Sequence, residues 1–177
     1  MKRIILSTLL VLSMVMVTAC GSTDEVSNYG AVSEGKVSFV STDINGNEVS
    51  SNDLFKDHKL TMVNIWATFC GPCLKEMPEL EKLSKKFNQD GYGLVGVIAD
   101  SSTSLDEAKA IVSDMGISYP NVCTNDDIDK AMPTQVVPTT YFVDSEGNIV
   151  GSPIFGASDH IEEQYTQALN ERLALLK

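Results

Sequence analysis

Two apolar runs, with a periodic segment between them, dominate the middle of the chain. Leu60–Trp66 is a short apolar run typical of a buried strand, and Tyr92–Ala99 is a second run that fits a central parallel strand. Between them, Leu74–Phe87 carries apolar residues at helical spacing. This pattern predicts a strand, a helix and a second strand that share one core.

Further elements flank this centre. Alternation over Val37–Ser41, an Asn45-Gly46 turn and a return at Glu48–Ser50 predict an N-terminal hairpin. The remaining pattern first predicts a helix capped at Ser104 and ending at Gly116, a strand Ile117–Val122 and a helix Asp126–Met132. It then predicts a hairpin of Thr139–Val143 with Asn148–Ser152, followed by a helix from Ser158 or Asp159 to about Leu175. This order predicts an α/β sandwich with a mixed sheet.

The N-terminus has the pattern of an export signal. Lys2 and Arg3 precede the apolar segment Ile4–Val17, which is too short to span a bilayer comfortably. Val17-Thr18-Ala19-Cys20 resembles a bacterial lipobox, which implies cleavage after residue 19 and lipidation of Cys20. The alternative is an ordinary secretory signal that is cleaved elsewhere. We expect a lipid-anchored protein on the extracytoplasmic face of the cell membrane.

The rest of the chain is expected to form a tether and one domain. Residues 20–34 are rich in Ser, Gly, Asn and acidic side chains, which predicts a flexible tether, and residues 35–177 are long enough for one ordinary domain. The net charge is −11, and loss of Lys2 and Arg3 lowers it to −13. Such a charge disfavours nucleic acid as a partner, and plain solubility explains it equally well.

The residues that carry candidate chemistry are Cys70-Gly71-Pro72-Cys73, between a predicted strand and a predicted helix. Two cysteines at this spacing can close a small disulfide, and the helix N-terminus favours a thiolate at the first of them. Gly71 and Pro72 suit the turn that opens the helix. The alternative is half of a zinc site, but the other possible ligands are scattered along the chain: Cys20, Cys123, His58 and His160. We therefore predict a redox pair, with no metal or cofactor.

The segment Trp66-Ala67-Thr68-Phe69-Cys70-Gly71-Pro72-Cys73 resembles the active-site signature of the TlpA/ResA-like branch of the thioredoxin superfamily. Val137–Asp144 resembles the segment that holds this family's cis-proline, and the insertion Gly93–Val122 also fits the branch. The resemblance implies a thioredoxin-like α/β/α sandwich with a mixed central sheet, an N-terminal β-hairpin and an insertion between the CxxC helix and the cis-proline strand. It also implies that Pro138 faces the cysteines.

The substrate-binding residues are predicted around these two motifs. Since Pro138 has no N–H, backbone groups of Val137 and Thr139 are expected to pair with an extended substrate. Gly71 and Pro72 are expected on the same surface. Trp66 and Phe69 are expected at the rim of the active face, with the alternative that either is a core residue.

One carboxylate stands out on the predicted CxxC helix. Thioredoxin has a buried aspartate in the strand before the motif, and here that position is Asn64, which cannot accept a proton at neutral pH. In the TlpA/ResA branch a glutamate three residues after the second cysteine is implicated instead, and Glu76 occupies that position. Glu76 is centred on the apolar helix stripe, about 60° from Cys73 around the helix. We predict that it is a partly buried proton acceptor.

These residues predict a thiol–disulfide oxidoreductase. Cys70 would attack a substrate disulfide, Cys73 would resolve the mixed disulfide, and Glu76 would take the proton of Cys73. The Gly-Pro dipeptide matches that of thioredoxin, which favours a reductant. The family resemblance implies a CcdA/DsbD-like membrane thiol donor, with apocytochrome c, an exported methionine sulfoxide reductase or misoxidised exported proteins as clients. We expect a monomer.

Other interpretations stay open at this point. Cys123 is a buried inert thiol or, alternatively, a regulatory or resolving cysteine. A peroxiredoxin-like peroxidase shares the fold, but it needs a lone peroxidatic cysteine in place of a CxxC motif. A Sco-type copper metallochaperone needs a wider cysteine spacing and a suitable histidine, and neither His58 nor His160 has a partner pattern.

Overall fold

The computed structural model describes residues 30–176, which form seven strands and five helices. The strands are β1 Val40–Thr42, β2 Glu48–Ser50, β3 Leu60–Trp66, β4 Gly93–Ile98, β5 Asn121–Cys123, β6 Thr139–Asp144 and β7 Ile154–Phe155. The helices are α1 Ser51–Phe55, α2 Gly71–Asp90, α3 Ser101–Asp114, α4 Asp126–Ala131 and α5 Ile161–Leu173. No helix within residues 30–176 is long and apolar enough to cross a membrane. The predicted signal peptide and Cys20 lie outside the described residues.

A five-stranded sheet in the order β5-β4-β3-β6-β7 organises the fold, and β1 and β2 form a separate antiparallel hairpin. The central strand β3 pairs parallel with β4 and antiparallel with β6. All seven residues of β3 are buried, because both faces of the sheet are covered. The predicted mixed sheet and N-terminal hairpin are confirmed.

The alternation of side chains along β3 divides the core into two clusters. Met62 and Trp66 pack with residues of α2 and α5, such as Leu80 and Tyr165. Val63 and the other cluster lie on the opposite face of the sheet. Asn64 has the same parity as Met62 and Trp66, so this polar residue faces α2.

Helix α2 is longer than the sequence predicts and begins directly at the motif. Cys70 is its N-cap, Pro72 lies in its first turn, and Pro78 lies inside it. The helix ends at Gly91, whose φ of 81° is left-handed and suits glycine. The cysteine pair is therefore part of the start of a 20-residue helix.

The last predicted hairpin is only half right. The turn at Asp144 forms, since its carboxylate accepts hydrogen bonds from the backbone N–H groups of Glu146 and Asn148. Beyond it, Asn148–Ser152 forms no strand: Ile149 makes an isolated bridge to Val143, and Asn148 makes one to Lys36. The strand that pairs with β6 on this edge of the sheet is β7. The chain bends away first at Gly151, where φ is 74°.

Other boundaries differ for local reasons. Only the last part of the predicted strand Ile117–Val122 joins the sheet, as β5, because Pro120 has no N–H to donate. Helix α3 begins at Ser101, and Ser104, the predicted cap, has non-helical torsions that mark a kink inside it. Helix α5 begins at Ile161, slightly after the predicted start.

Candidate active site

The two cysteines form a disulfide at the N-terminus of α2. The Cα atoms of Cys70 and Cys73 are 5.2 Å apart, and the Cys73 backbone N–H donates to Cys70 Sγ at 3.2 Å. Cys70 is 5% exposed and Cys73 is fully buried. Cys70 is thus the sulfur nearer the surface, and the free N–H groups of the first helical turn stabilise negative charge on it.

The carboxylate of Asp100, in the turn after β4, holds the loop that leads to the cysteines. Asp100 follows β4, and its carboxylate accepts from Thr68 Oγ1 at 2.6 Å and from the Thr68 backbone N–H at 3.1 Å. The two residues meet because the carboxyl ends of parallel β3 and β4 lie at the same edge of the sheet. This contact is not predictable from the sequence, since nothing local links positions 68 and 100.

Glu76 is buried on the inner face of α2, one turn beyond Cys73, and is 1% exposed. Asn64 Nδ2 donates to its Oε1 at 2.9 Å, and the Tyr165 hydroxyl donates to its Oε2 at 3.4 Å. Burial raises the pKa of Glu76 from 4.5 to about 7, although these two hydrogen bonds oppose the rise. The predicted burial is confirmed, and its role as proton acceptor stays a prediction.

Two partners of this carboxyl group were not predicted from the sequence. Thr140 lies opposite Asn64 in the register of β3 and β6, and its hydroxyl is 3.1 Å from that of Tyr165. Tyr165 lies on the buried stripe of α5 with Ile161 and Leu169. A tyrosine on an apolar helix stripe needs a partner for its hydroxyl, which is the signal that marks it. The sequence does not reveal which partner it finds.

The Val137–Pro138 peptide bond is cis, as the resemblance implies. Since Ile65 pairs with Thr139, Pro138 lies beside the end of β3, from which the loop runs to Cys70. Val137 is half-buried, and its backbone has no hydrogen bond to the rest of residues 30–176. Val137 therefore remains a candidate for pairing with a substrate.

Two predicted substrate-binding residues are wrong. Thr139 pairs with Ile65 on one side and with Phe155 on the other, so its backbone lies between two strands and cannot pair with a substrate. Trp66 is fully buried, and its Nε1 donates to Asn121 Oδ1 at 2.9 Å. Trp66 is a core residue because it is the last residue of a strand that is buried on both faces.

The other predicted contact residues lie on the surface beside the disulfide. Phe69 is 78% exposed, directly before Cys70. Gly71 and Pro72 are exposed at the start of α2. A cavity of about 360 Å³ opens next to them, and Glu76 lies in its wall. The disulfide is thus bordered by the aromatic ring of Phe69 and by Gly71 and Pro72. The buried carboxyl group of Glu76 lies in the wall of the adjoining cavity.

The remaining cysteine and the histidines lie apart. Cys123 ends β5, is half-buried and is the free cysteine of the described residues, with its Sγ 4.0 Å from the Asp43 carbonyl oxygen. His160 is exposed at the N-cap position of α5 and makes no side-chain capping bond. Within residues 30–176, no group of three or more His, Cys, Asp or Glu side chains is arranged to hold a metal ion.

A mixed sheet with a CxxC disulfide at a helix N-terminus and a cis-proline directly before the adjacent strand β6 defines a thioredoxin-fold protein with a redox-active pair. The sequence model of the family described as Redoxin matches residues 32–169. The chain therefore belongs to the Redoxin family.

Relatives and a solved structure identify the chain as a thiol–disulfide oxidoreductase of the ResA type. The thiol–disulfide oxidoreductase ResA of Bacillus subtilis is 30% identical over 148 residues, covering 77% of this chain and 78% of that protein. ResA of Halalkalibacterium halodurans is 27% identical over 137 residues, covering 77% of this chain and 76% of that protein. The thioredoxin-family thiol:disulfide interchange protein of Chlorobium tepidum is 25% identical with a TM-score of 0.64, covering 78% of this chain and 94% of that one.

Proposed function

We propose that this enzyme is a lipid-anchored, extracytoplasmic reductant that reduces disulfides in exported proteins through Cys70 and Cys73. The observation that carries the chemistry is the cysteine pair at the start of α2, with the buried carboxyl group of Glu76 one turn further along the same helix. The reducing direction is supported by the Gly-Pro dipeptide between the cysteines, which thioredoxin shares.

The reaction begins with the reduced pair. The Cys70 thiolate attacks one sulfur of a client disulfide, so the client S–S bond breaks, a Cys70–client disulfide forms, and a client thiolate leaves. Cys73 then loses its proton and attacks the Cys70 sulfur. The Cys70–Cys73 disulfide forms and the second client thiolate is released. The client gains two electrons, the enzyme pair loses two, and each client thiolate takes up a proton.

Glu76 is the proposed acceptor of the Cys73 proton. Burial raises the pKa of a thiol, so Cys73 needs a base close by. Since burial also raises the pKa of Glu76 to about 7, this carboxyl group can both accept and release a proton near neutral pH. The cavity beside Glu76 gives the proton an exit to water.

The proposed location depends on the N-terminal residues. The positive residues Lys2 and Arg3, the apolar segment Ile4–Val17 and the lipobox-like Val17–Cys20 support export, cleavage and lipidation of Cys20. An extracytoplasmic reductant needs electrons from inside the cell, so we include a CcdA/DsbD-like membrane donor in the proposal. Apocytochrome c and an exported methionine sulfoxide reductase are the client classes to test first, and the enzyme acts as a monomer.

Trapping tests the order of attack. Cys73→Ser should accumulate mixed disulfides between Cys70 and client proteins, because the resolving thiol is missing. Cys70→Ser should accumulate none, because the attacking thiol is missing. Non-reducing electrophoresis of cell envelopes, followed by identification of the trapped proteins, measures both. Trapping by Cys70→Ser alone would reverse the assigned roles.

A redox titration tests the direction. We expect the midpoint potential of the Cys70–Cys73 pair to lie nearer thioredoxin, at about −270 mV, than the oxidant DsbA, at about −120 mV. Equilibration with glutathione or dithiothreitol buffers measures it. A value close to that of DsbA would refute the reducing role.

Lipid labelling tests the anchor. Cys20→Ala should abolish incorporation of a labelled fatty acid and leave the protein either uncleaved or shed from the membrane. Cys123→Ala, which changes a cysteine inside the fold, should keep the label. Continued labelling of Cys20→Ala would contradict the proposed lipidation site.

A further inference from the structure

The carboxyl group of Glu76 belongs to a closed ring of four hydrogen-bonded side chains. Asn64 donates to Glu76 at 2.9 Å and to Thr140 Oγ1 at 3.1 Å. Tyr165 closes the ring, with its hydroxyl 3.1 Å from that of Thr140 and 3.4 Å from Glu76 Oε2. All four side chains are buried. Both hydrogens of the Asn64 amide group are used inside the ring.

Four elements of the fold build this ring. Asn64 on β3 and Thr140 on β6 are direct cross-strand partners, so their side chains project from the same face of the sheet. Glu76 comes from α2 and Tyr165 from α5, which pack together on that face. The ring therefore joins residues up to 101 positions apart in the sequence, from position 64 to position 165. It orients the carboxyl group through contacts that only the tertiary fold creates.

The chemistry of the three partners suits a carboxyl group that changes its protonation state. When Glu76 is ionised, the Tyr165 hydroxyl donates to Oε2 and the Thr140 hydroxyl donates to Tyr165. When Glu76 is protonated, its O–H donates to the Tyr165 oxygen and the Tyr165 hydroxyl donates to Thr140. Only hydroxyl hydrogens turn between the two arrangements. The carboxyl group of Glu76 thus keeps Asn64 and Tyr165 as partners in both protonation states, so its own oxygens are not left unsatisfied.

We propose that Asn64, Thr140 and Tyr165 are positioning residues for the thiol–disulfide reaction, and that they hold Glu76 in one orientation and satisfy it in both protonation states. This inference rests on the proposed role of Glu76 as the acceptor of the Cys73 proton. Removing the Tyr165 hydroxyl is the most informative change, because this hydroxyl donates to the ionised Glu76 and accepts from the protonated Glu76.

Other ionisable groups also surround Glu76. Strands β3 and β6 present only the neutral Asn64 and Thr140 to it. The titratable groups that face it or line its cavity come from α2, from the segment before β5 and from the region of α5: Cys73, Lys75, Glu79, Tyr119, Asp159 and Tyr165. Burial raises the pKa of both Tyr119 and Tyr165, so both hydroxyls stay neutral in the working range.

The chain offers a matched control for Tyr165. Tyr119 is buried in the same core cluster, and its hydroxyl has no hydrogen-bond partner within residues 30–176. Tyr165→Phe and Tyr119→Phe therefore remove the same atom from the same core, but only Tyr165→Phe removes a partner of Glu76. Thr140→Val is a second variant that breaks the ring without touching Glu76 directly.

The experiment is a carbon-13 NMR titration of the Glu76 carboxyl group in the disulfide form of the full-length protein, assigned with Glu76→Gln. Tyr165→Phe should raise the midpoint by roughly half a unit, because the bond to the ionised form is the stronger one but is long at 3.4 Å. Thr140→Val should shift the midpoint in the same direction by less. Tyr119→Phe should leave it unchanged.

Two results would overturn the proposal. One is a Glu76 midpoint in Tyr165→Phe equal to that of the wild type while the fold is intact by circular dichroism. The other is an equal shift in Tyr119→Phe, which would mean that the hydroxyl acts only through packing. If instead Glu76 is not the proton acceptor, Glu76→Gln will leave the pH profile of mixed-disulfide resolution unchanged while the NMR midpoints still shift. The two failures are therefore distinguishable.

Discussion

At the scale of single residues, Glu76 is where stability and chemistry oppose each other. A carboxyl group that is 1% exposed is costly to ionise, since it has lost most of its contact with water. Its pKa of about 7 lies above the ordinary 4.5 for that reason, despite two hydrogen bonds that favour the charge. The raised value makes Glu76 a useful base near neutral pH, and it also makes the folded state less stable there.

The first prediction concerns stability. Because the folded-state pKa of Glu76 lies above its unfolded value, its neutral form is favoured at low pH, and stability is lost as the pH rises from 4.5 to 7. Glu76→Gln should therefore stabilise the fold at pH 8, by up to about 3 kcal/mol, and the gain should vanish below pH 4.5. Urea unfolding at pH 4 and pH 8 measures this difference.

Glu79→Gln is the matched control, because it makes the same substitution at an exposed position of the same helix. Its effect on stability should be small and similar at both pH values. A large loss of stability in Glu76→Gln at pH 8 would mean that the ionised carboxylate stabilises the fold, contrary to this prediction.

The second prediction concerns rate. Glu76→Gln keeps size and polarity but cannot take a proton, so resolution of the Cys70–client disulfide by Cys73 should slow by about 10²-fold or more. The rise of the wild-type rate around pH 7 should disappear. Stopped-flow reduction of a fluorescent disulfide peptide across pH 5–9 measures both. An unchanged profile would show that the proton leaves Cys73 through water.

At the scale of elements, the active-site loop is held by the adjacent ends of two parallel strands. The loop between β3 and α2 contains Thr68, and the turn between β4 and α3 contains Asp100. The hydroxyl and the backbone N–H of Thr68 both donate to that one carboxylate. This contact ties the segment before Cys70 to the sheet, so the cysteine pair is positioned by β4 as well as by α2.

The third prediction tests this contact. Asp100→Ala should lower the free energy of unfolding by about 1–3 kcal/mol, because the buried Thr68 loses the acceptor for its N–H and O–H groups. The loss is not a capping effect, since Asp100 stands at the N-cap position of α3 without a side-chain capping bond. Asp106→Ala, on the exposed surface of the same helix, should cost less than about 0.5 kcal/mol. Equal losses of unfolding free energy in the two variants would refute the proposed stabilisation of the loop by the Asp100–Thr68 hydrogen bonds.

At the scale of the whole molecule, the net charge should influence the rate at which different client proteins associate with the enzyme. The chain has 24 acidic and 13 basic residues and a net charge of −11. Lys75, an exposed cation beside the start of α2, is paired with Asp159 at 2.7 Å. The long-range field of the protein is therefore negative, which attracts basic clients and repels acidic ones.

The fourth prediction follows from this field. A disulfide peptide flanked by lysines should be reduced faster than the same peptide flanked by glutamates, by about tenfold at low salt. The difference should shrink as salt is raised, because the field is screened beyond about 10 Å at 0.1 M. Second-order rate constants at several salt concentrations measure it. A preference that does not depend on salt would point to contacts with Phe69 and its neighbours instead.

The sequence predicted the centre of the fold well and its periphery less well. The strand Leu60–Trp66 matches β3 residue for residue, because a strand that is covered on both faces is mostly apolar along its whole length. The edge partner of β6 was misplaced, since Asn148–Ser152 makes only a single bridge to β6 and Ile154–Phe155 forms the strand that pairs with it. Which segment reaches an open sheet edge depends on how the chain bends in three dimensions, and a short local pattern does not contain that information.

The cis-proline segment was expected from the family resemblance. By itself, the amino-acid sequence determined the cysteine pair, the helix that begins there and the carboxylate at position 76. Each of these is a local pattern, in which spacing along one element fixes which side chains share a face. Only the tertiary structure decided that Trp66 is buried, that Thr139 is enclosed by two strands, and that Asp100 and Tyr165 reach the site. The physical reason is that hydrogen-bond partners of buried polar groups come from whichever elements pack there, however distant in sequence.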